Sequence, residues 1–378
     1  MAKTQQYWDT ADEHKRIKSE IVCAYLKPWA QIIGKGSDNL FYLDLFSGRG
    51  QFHDGTLATP LKVLDLVRDN PPLKQKLQIS FYEGNRANFR ALQEVVRCHE
   101  VYTQLTYEPQ ITCQTINSDF IARLTCNIQP GTYTFIDPYG YSDISLDLLD
   151  AVTRSWGCDC LFYLSISGLV RNIKSEPKWP RIREFLGDGP FAKIERVLEK
   201  STESTNLAKI LFQEIEAELR RRREYYVLPY CVEFDQARRP SHYLVFLSKH
   251  YLGFKIMRDI MVKYSDVDAD GLPLFAFSPK GGITHKQKEF FGTRRMRELA
   301  DKLHRDFVPR TLRVRKVFDE CLKRGYPYQD KHLLKAMEKL RLQRRLVKCE
   351  LSGEREDTPI TNKSVVTFVL SSEDGKGQ

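Results

Sequence analysis

The sequence predicts an α/β protein: a doubly wound, largely parallel sheet closed by an antiparallel hairpin, followed by a smaller, basic α+β domain. Three observations lead there. Short apolar runs alternate with amphipathic stretches through the first 165 residues, two aromatic and β-branched runs then flank a polar turn, and beyond residue 280 the balance of charge becomes strongly basic. Parallel strands need crossover connections, so this alternation implies a sheet covered on both faces, with ligands bound at the strand ends.

The elements follow in order. Ile17, Ile21, Ala24, Tyr25, Ala30 and Ile33 recur near helical spacing and predict a helix over about 11–33, capped by Asp9 or Thr10 and stopped by the Gly-Lys-Gly-Ser turn at 34–37. Strands are expected at Leu40–Leu45, Gln78–Glu83, Ile111–Ile116, Tyr133–Asp137 and Asp159–Ser165, with helices near 59–68, 86–96, 120–124 and 145–155. After a longer helical stretch near 204–223, Tyr225–Phe234 and His242–Ser248 read as an antiparallel hairpin, and Gly253–Lys263 as a helix. Gly-Leu-Pro at 271–273 and Pro-Lys-Gly-Gly at 279–282 mark a linker, giving a first domain over 1–278 and a second over 283–370. In the second, helices near 284–305, 309–324 and 329–343 and short strands at Leu346–Leu351 and Ser364–Leu370 have the element order of a winged helix. Residues 371–378 show no apolar pattern and are expected to be a disordered tail.

Composition bounds the function. With 378 residues, 42% apolar and 29% charged, the chain is neither low-complexity nor largely disordered, and is long enough to bury a core without disulfides. No run approaches the ~18 apolar residues of a membrane span, and the N-terminus lacks the apolar core of a signal peptide, so a cytoplasmic protein with no membrane partner is expected. The nine cysteines are scattered and include no Cys-x-x-Cys pair, which argues against a metal site or disulfide framework. Cys158 and Cys160 share one face of a strand at period 2, a packing role. From Lys280 to Glu350 there are 21 Lys and Arg against 9 Asp and Glu, so an anionic partner, nucleic acid before membrane, is expected there. The alternative is a solvated helical surface.

The motifs converge on a nucleotide. Leu43-Asp44-Leu45-Phe46-Ser47-Gly48-Arg49-Gly50 ends a strand on an acid and enters a Gly-x-Gly turn, where glycine lets the backbone approach a nucleotide. Gly50 is followed by Gln51, Phe52 and His53, so the third glycine of a dinucleotide fingerprint is missing and an NAD or FAD enzyme is disfavoured. Glu83 ends the next strand, where a carboxylate can accept two ribose hydroxyls. Asp119 follows the third, where it can accept an adenine amino group with Phe120 against the ring, or simply cap the next helix. A parallel sheet ending in an antiparallel hairpin resembles the plan of the Rossmann-like class I methyltransferases, in which Asp44 can meet the amino end of S-adenosylmethionine (SAM). The candidate cofactor-binding residues are therefore Asp44, Phe46, Gly48, Gly50, Glu83, Asp119 and Phe120, with SAM as cofactor.

The fourth strand runs into Asp137-Pro138-Tyr139-Gly140-Tyr141. Nucleobase amines are poor nucleophiles because their lone pair is delocalised, so an enzyme must hold the NH₂ with acceptors while it becomes tetrahedral. An Asp carboxylate and a Pro carbonyl supply two acceptors, and a following aromatic can stack on the base. Asp137, Pro138 and Tyr139 are the candidate catalytic residues. Tyr141, Ser165 and Arg171 are the candidate substrate contacts, although Arg171 can equally serve in a salt bridge. Arg220–Arg223 reads as a solvated helix end or a phosphate contact.

The chain resembles the three-Cys-motif partner family of bacterial and archaeal proteins. The resemblance rests on His14-Lys15, Lys18, Tyr25-Leu26 and Trp29, on the Leu43–Gly50 segment with Asp54-Gly55 and Thr59-Pro60-Leu61, on Phe135–Gly140, and on Val227-Leu228-Pro229-Tyr230. It implies a class I methyltransferase fold and a partner protein of radical-SAM-like type bearing a three-cysteine motif. Locally, Asp137–Gly140 is similar to the Asp-Pro-Phe-Gly motif of tRNA guanine dimethyltransferases and, more loosely, to the Asp-Pro-Pro-Tyr motif of adenine amino methyltransferases. The glycine turn also resembles that of cytosine-C5 methyltransferases, but no Pro-Cys dipeptide is present to supply their nucleophile. The resulting expectation is SAM-dependent N-methylation of a nucleobase amine, in RNA in preference to DNA. The alternative is a non-catalytic accessory module acting with the three-Cys-motif protein.

Overall fold

The computed structural model describes residues 13–138, 140, 144–173, 175–200, 204–234, 240–277, 295–349 and 358–370. Helix α1 (Glu13–Ile33) lays Ile17, Ile21, Val22, Tyr25 and Trp29 into the interior, one stripe at helical spacing. The strands that follow are β1 (Leu40–Asp44), β2 (Leu77–Glu83), β3 (Gln110–Cys113), β4 (Thr132–Ile136), β5 (Asp159–Ser165), β6 (Tyr226–Phe234) and β7 (Pro240–Ser248). They form one sheet in the order β3-β2-β1-β4-β5-β7-β6. The first five pair in parallel, and β7 runs antiparallel between β5 and β6. This is the Rossmann-like class I methyltransferase fold, with its antiparallel terminal hairpin. Every residue of β4 is buried, as a central strand covered on both faces requires.

Between the strands lie α2 (Thr59–Arg68), α3 (Pro71–Lys76), α4 (Arg86–Arg97), α5 (Ser118–Asn127), α6 (Leu146–Val152), α7 (Ile166–Ile173), α8 (Trp179–Leu186), α9 (Asp188–Lys200), α10 (Ser204–Arg223) and, after β7, α11 (Tyr251–Lys263). Asn117, not Asp119, caps α5, its side chain accepting from the Phe120 amide at 3.0 Å. α1 is fastened to the sheet by aromatic rings: Tyr25 lies 5.1 Å from Tyr133 and 4.8 Å from Phe246, and Trp29 lies 5.9 Å from Tyr133. Burying rings of this size is worth about 1.5–3 kcal/mol each, so α1 is held mainly by this face. Cys158 and Cys160 are buried in the same interior. The Arg220–Arg223 run is tied down: Arg222 bonds Asp147 and Asp150, and Arg220 bonds Glu216 and the carbonyl of Val227.

The described residues divide into two units, one running through Tyr264 together with Phe277 and the other comprising Ser265–Ala276 and everything from 295 onward. The stretch 265–276, expected in the first domain, thus clusters with the second. That unit contains α12 (Arg295–Phe307), β8 (Thr311–Arg313), α13 (Val314–Lys323), α14 (Asp330–Leu342), β9 (Leu346–Cys349) and β10 (Val365–Phe368), with β10 antiparallel to β8 on one side and β9 on the other. Leu299, Leu303, Phe307, Val317, Met337 and Phe368 are among its core residues. The helix expected over 309–324 is shorter. Leu312 packs on the core between exposed Thr311 and Arg313, and this period-2 alternation pairs with β10 instead. The start of the helix expected from 284, the 279–282 linker and the 371–378 tail lie outside the described residues. Among the described residues no helix is long and apolar enough to cross a membrane.

Candidate functional site

The strand order reverses between β1 and β4, and the carboxyl ends of those two strands form the switch point at which α/β sheets bind ligands. Asp44 ends β1 and is 1% exposed. Its Oδ1 accepts the Phe46 amide at 3.3 Å, while the Ser47 hydroxyl donates to its backbone carbonyl at 3.0 Å. Burial pushes the Asp44 carboxyl up to about 8, only partly offset by the Phe46 amide, with the Asp137 and Glu83 carboxylates adding to the rise.

The glycine turn is held from β2. Glu83 accepts the Gly48 amide at 2.8 Å through Oε2 and the Asn85 amide at 2.7 Å through Oε1. Gly48 and Gly50 have φ of 65° and 80°, a region that L side chains avoid. A Cβ on Gly50 would also stand 2.8 Å from Val95 of α4, so only glycine lets the turn pack there. Glu83 therefore fixes the turn through both oxygens, and the Asn88 side chain of α4 bonds the same carboxylate.

Asp137, just past β4, faces α1. Lys18 Nζ donates to both its carboxylate oxygens, at 2.9 and 2.7 Å, with the two side chains only 7% and 17% exposed. The same ammonium lies 3.9 Å from the ring centroid of Tyr163 on β5, and Tyr163 is stacked on His242 of β7. One turn earlier, Lys15 lies over Phe52 at 5.1 Å. Asp44, Phe46, Gly48, Asp137, Lys15 and Lys18 line one cleft of about 40 Å³.

Of the residues singled out from sequence, Asp44, Phe46, Gly48 and Asp137 meet at this cleft, and Glu83 and Gly50 adjoin it through the glycine turn. Pro138 is buried beside Asp137. Asp119 is exposed in the first turn of α5, and Phe120 is buried edge-on to Tyr82, with centroids 5.2 Å apart. Neither lines the cleft. Ser165 Oγ accepts the Gly168 amide at 3.2 Å in the first turn of α7, and Arg171 is exposed on that helix. Tyr139 and Tyr141 lie outside the described residues. The lysine contacts were missed from sequence, although a signal existed. Lys18, Val22, Tyr25 and Trp29 fall at i, i+4, i+7 and i+11, so Lys18 is a charge set on the apolar stripe of α1, where lone charges are costly.

No protein-family model and no curated protein matches the chain. Among solved structures it is similar to the putative methyltransferase yhhF from Escherichia coli, at 15% identity over 41% of this chain and 68% of that one, with a TM-score of 0.25. A putative caffeoyl-CoA O-methyltransferase from Staphylococcus aureus shares 9% identity over 65% and 97% of the two chains, with a TM-score of 0.30. The plantazolicin methyltransferase BpumL in complex with SAH shares 9% identity over 62% and 84%, with a TM-score of 0.31. Likenesses this distant carry no argument about residues or substrate, and the fold stands on the strand order of the sheet itself.

Proposed function

We propose that the chain is a SAM-dependent methyltransferase whose acceptor is the exocyclic amine of a nucleobase, in RNA in preference to DNA. The observation that carries this reading is the meeting of Asp44 and Asp137 at the β1/β4 switch point, beside a glycine turn pinned by Glu83. The residues fit the cofactor's chemistry. Asp44 is a buried carboxyl with a backbone amide as donor, and an incoming ammonium is the group that would favour its ionised form. Glu83 is a carboxylate acceptor at the end of β2 that ribose hydroxyls could reach by exchanging for its Asn88 bond, and Asp119 and Phe120 stand beyond β3 for the adenine. At about 40 Å³ the cleft holds a water or two, so a nucleoside-sized group enters only as Lys15 and Lys18 draw back from the glycine turn.

Bound there, SAM supplies a methyl group on a sulfonium. The chain's own part is to hold the acceptor. Asp137 and the Pro138 carbonyl would accept hydrogen bonds from the two amine N–H groups, which leaves the nitrogen lone pair free to attack the methyl as the C–S bond breaks, and the Asp137 carboxylate would take the one proton that the methylated nitrogen releases. Lys18 occupies that position in the structure: a cation against the Asp137 carboxylate and over the Tyr163 ring, the two surfaces that a flat base carrying an amine would use. Substrate must displace at least one of its two bonds.

The second unit would be a winged-helix domain that presents nucleic acid, supported by its helix-strand-helix-helix-strand-strand order and its exposed Arg313, Arg315, Lys331 and Lys335. The test of the whole reading is transfer of labelled methyl from SAM to cellular RNA or DNA, together with calorimetric binding of SAM. Absence of both overturns it.

The Lys18–Asp137 pair favours a second reading, in which the pair stays closed and the chain is a non-catalytic accessory of a three-Cys-motif, radical-SAM-like protein. That reading expects no transfer and a stable complex on co-purification with that protein.

A further inference from the structure

At the opposite end of the sheet, where β5 begins, the first unit contains a much larger hollow of about 290 Å³. Its apolar lining includes Trp29 and Ile33 of α1, Leu252 and Ile256 of α11, and Trp156, which is 57% exposed. Among these apolar groups lies the carboxylate of Asp159, 7% exposed.

Asp159 accepts the Tyr25 hydroxyl at 2.7 Å, and beside it the Ser248 hydroxyl donates to the His250 carbonyl at 3.1 Å. Both hydroxyls beside it are neutral, and among the described residues Asp159 forms no ion pair. Nearby Lys249 donates instead to the carbonyls of Arg154 and Ser155, at 2.9 and 2.7 Å. The arrangement is closely built. A Cβ on Gly253 would fall 2.7 Å from Ser248 Oγ, 2.9 Å from the Tyr25 hydroxyl and 3.2 Å from Asp159, so α11 approaches this group only because residue 253 is glycine. Burial pushes the Asp159 carboxyl up to about 6, which leaves it ionised at neutral pH. A Tyr25–Asp159 tie alone would fasten α1 to β5 without any hollow open to solvent. Lys249 also lines the hollow, but its ammonium is held on the Arg154 and Ser155 carbonyls, and the combination of an apolar chamber, an exposed indole and a buried anion with no ion pair is complementary to one kind of molecule.

We propose that this hollow is a second binding site, distinct from the cleft at the carboxyl ends of the strands, for a small apolar amine whose ammonium meets Asp159 and whose aryl or branched alkyl body lies against Trp29 and Trp156. The volume corresponds to about ten water-sized groups, which sets the ligand at roughly ten non-hydrogen atoms. The exposed Trp156 indole adds cation–π attraction to the charge pair.

The test uses the full-length protein and two probes of equal size, 2-phenylethylamine and its uncharged counterpart 2-phenylethanol, titrated by calorimetry. The amine is expected to bind at least about tenfold more tightly than the alcohol, because only the amine brings a cation to the carboxylate. Asp159→Asn should abolish that preference while leaving the alcohol's affinity unchanged. Trp156→Ala, at an exposed side chain, should weaken the amine at least about fivefold with an unchanged melting temperature. If Asp159→Asn does not fold, the amine-against-alcohol ratio and Trp156→Ala still decide. Equal affinity for the two probes, no binding of the amine at about 10 mM, or wild-type affinity in Trp156→Ala would each overturn the proposal.

Discussion

The two ends of the parallel sheet are spanned by the same helix, and they treat a buried carboxylate in opposite ways. At the carboxyl end, α1 contributes Lys15 and Lys18, and the charges close on one another: Lys18 grips Asp137 beside a cleft of about 40 Å³. At the amino end, α1 contributes Tyr25 and Trp29, and a neutral hydroxyl, that of Tyr25, bonds Asp159, under a chamber of about 290 Å³. Charged side chains of opposite sign can bridge and fill the space between them, whereas apolar walls gain little by reaching across solvent. A small polar cleft is therefore compatible with a site that opens by exchanging one ion pair for another. A large apolar hollow is a site already open.

The largest expected effect tests the first half of that contrast. Asp137→Asn keeps the volume but weakens the hold on an acceptor amine, so methyl transfer should fall about 10²–10³-fold while SAM affinity stays within a few-fold. Undiminished transfer would remove Asp137 from the reaction. Glu83→Ala comes next. It loses an acceptor for the ribose and the tie to the Gly48 amide, and calorimetry should show SAM binding weakened by about 1.5–3 kcal/mol. Of similar size is the coupling between Lys18 and Asp137. A urea-denaturation cycle of Lys18→Met, Asp137→Asn and the double variant should give about 1–3 kcal/mol, since both groups are largely buried and each single change strands the other. A coupling near zero would mean that the pair does not hold the cleft shut.

The two ends also differ in their response to pH. An unfolded Asp ionises near 4, whereas Asp44 does so near 8 and Asp159 near 6 in the folded protein. Between those limits the folded state binds the extra proton, so stability falls as pH rises, by at most about 1.4 kcal/mol per pH unit for each group. Asp44→Asn should flatten the fall from about pH 4 to about pH 8, and Asp159→Asn only below about pH 6. Urea midpoints for the three proteins at pH 5, 6 and 7.5 check this. Parallel curves for wild type and Asp44→Asn above pH 6 would show that Asp44 is ionised in the ordinary carboxylate range.

Much of this architecture was legible in the sequence, and the exceptions have physical causes. The central strands announce themselves because they are buried on both faces and read as continuous apolar runs, and β5 spans the expected Asp159–Ser165. β3 is shorter than expected because it is an edge strand that meets β2 over only four residue pairs. α7 and α8 went unread because Gly168, Pro177, Pro180 and Gly187 break the periodicity into pieces of only eight residues. At the candidate site, the acids were found because each ends or follows a strand. Lys18 was not, because its role depends on a contact with a residue 119 positions away.

The smallest expected effect concerns two basic regions that look alike in composition. Arg220–Arg223 is largely neutralised within the first unit by Glu216, Glu218, Asp147 and Asp150. On α14, Lys331 and Lys335 are exposed one turn apart, on the face away from buried Leu333, Ala336 and Met337. If these lysines contact phosphates, each releases a condensed counterion, and the log–log slope of affinity against salt should flatten by about 0.9 per contact on duplex or 0.7 on single strands when it is removed. Lys331→Gln with Lys335→Gln should therefore flatten the slope by about 1.4 for single-stranded RNA, read by fluorescence anisotropy between about 50 and 200 mM salt. Arg221→Gln, whose guanidinium already pairs with Glu218, should leave the slope where it was. If the two variants respond alike, α14 does not face the nucleic acid, and its charge serves as solvated surface.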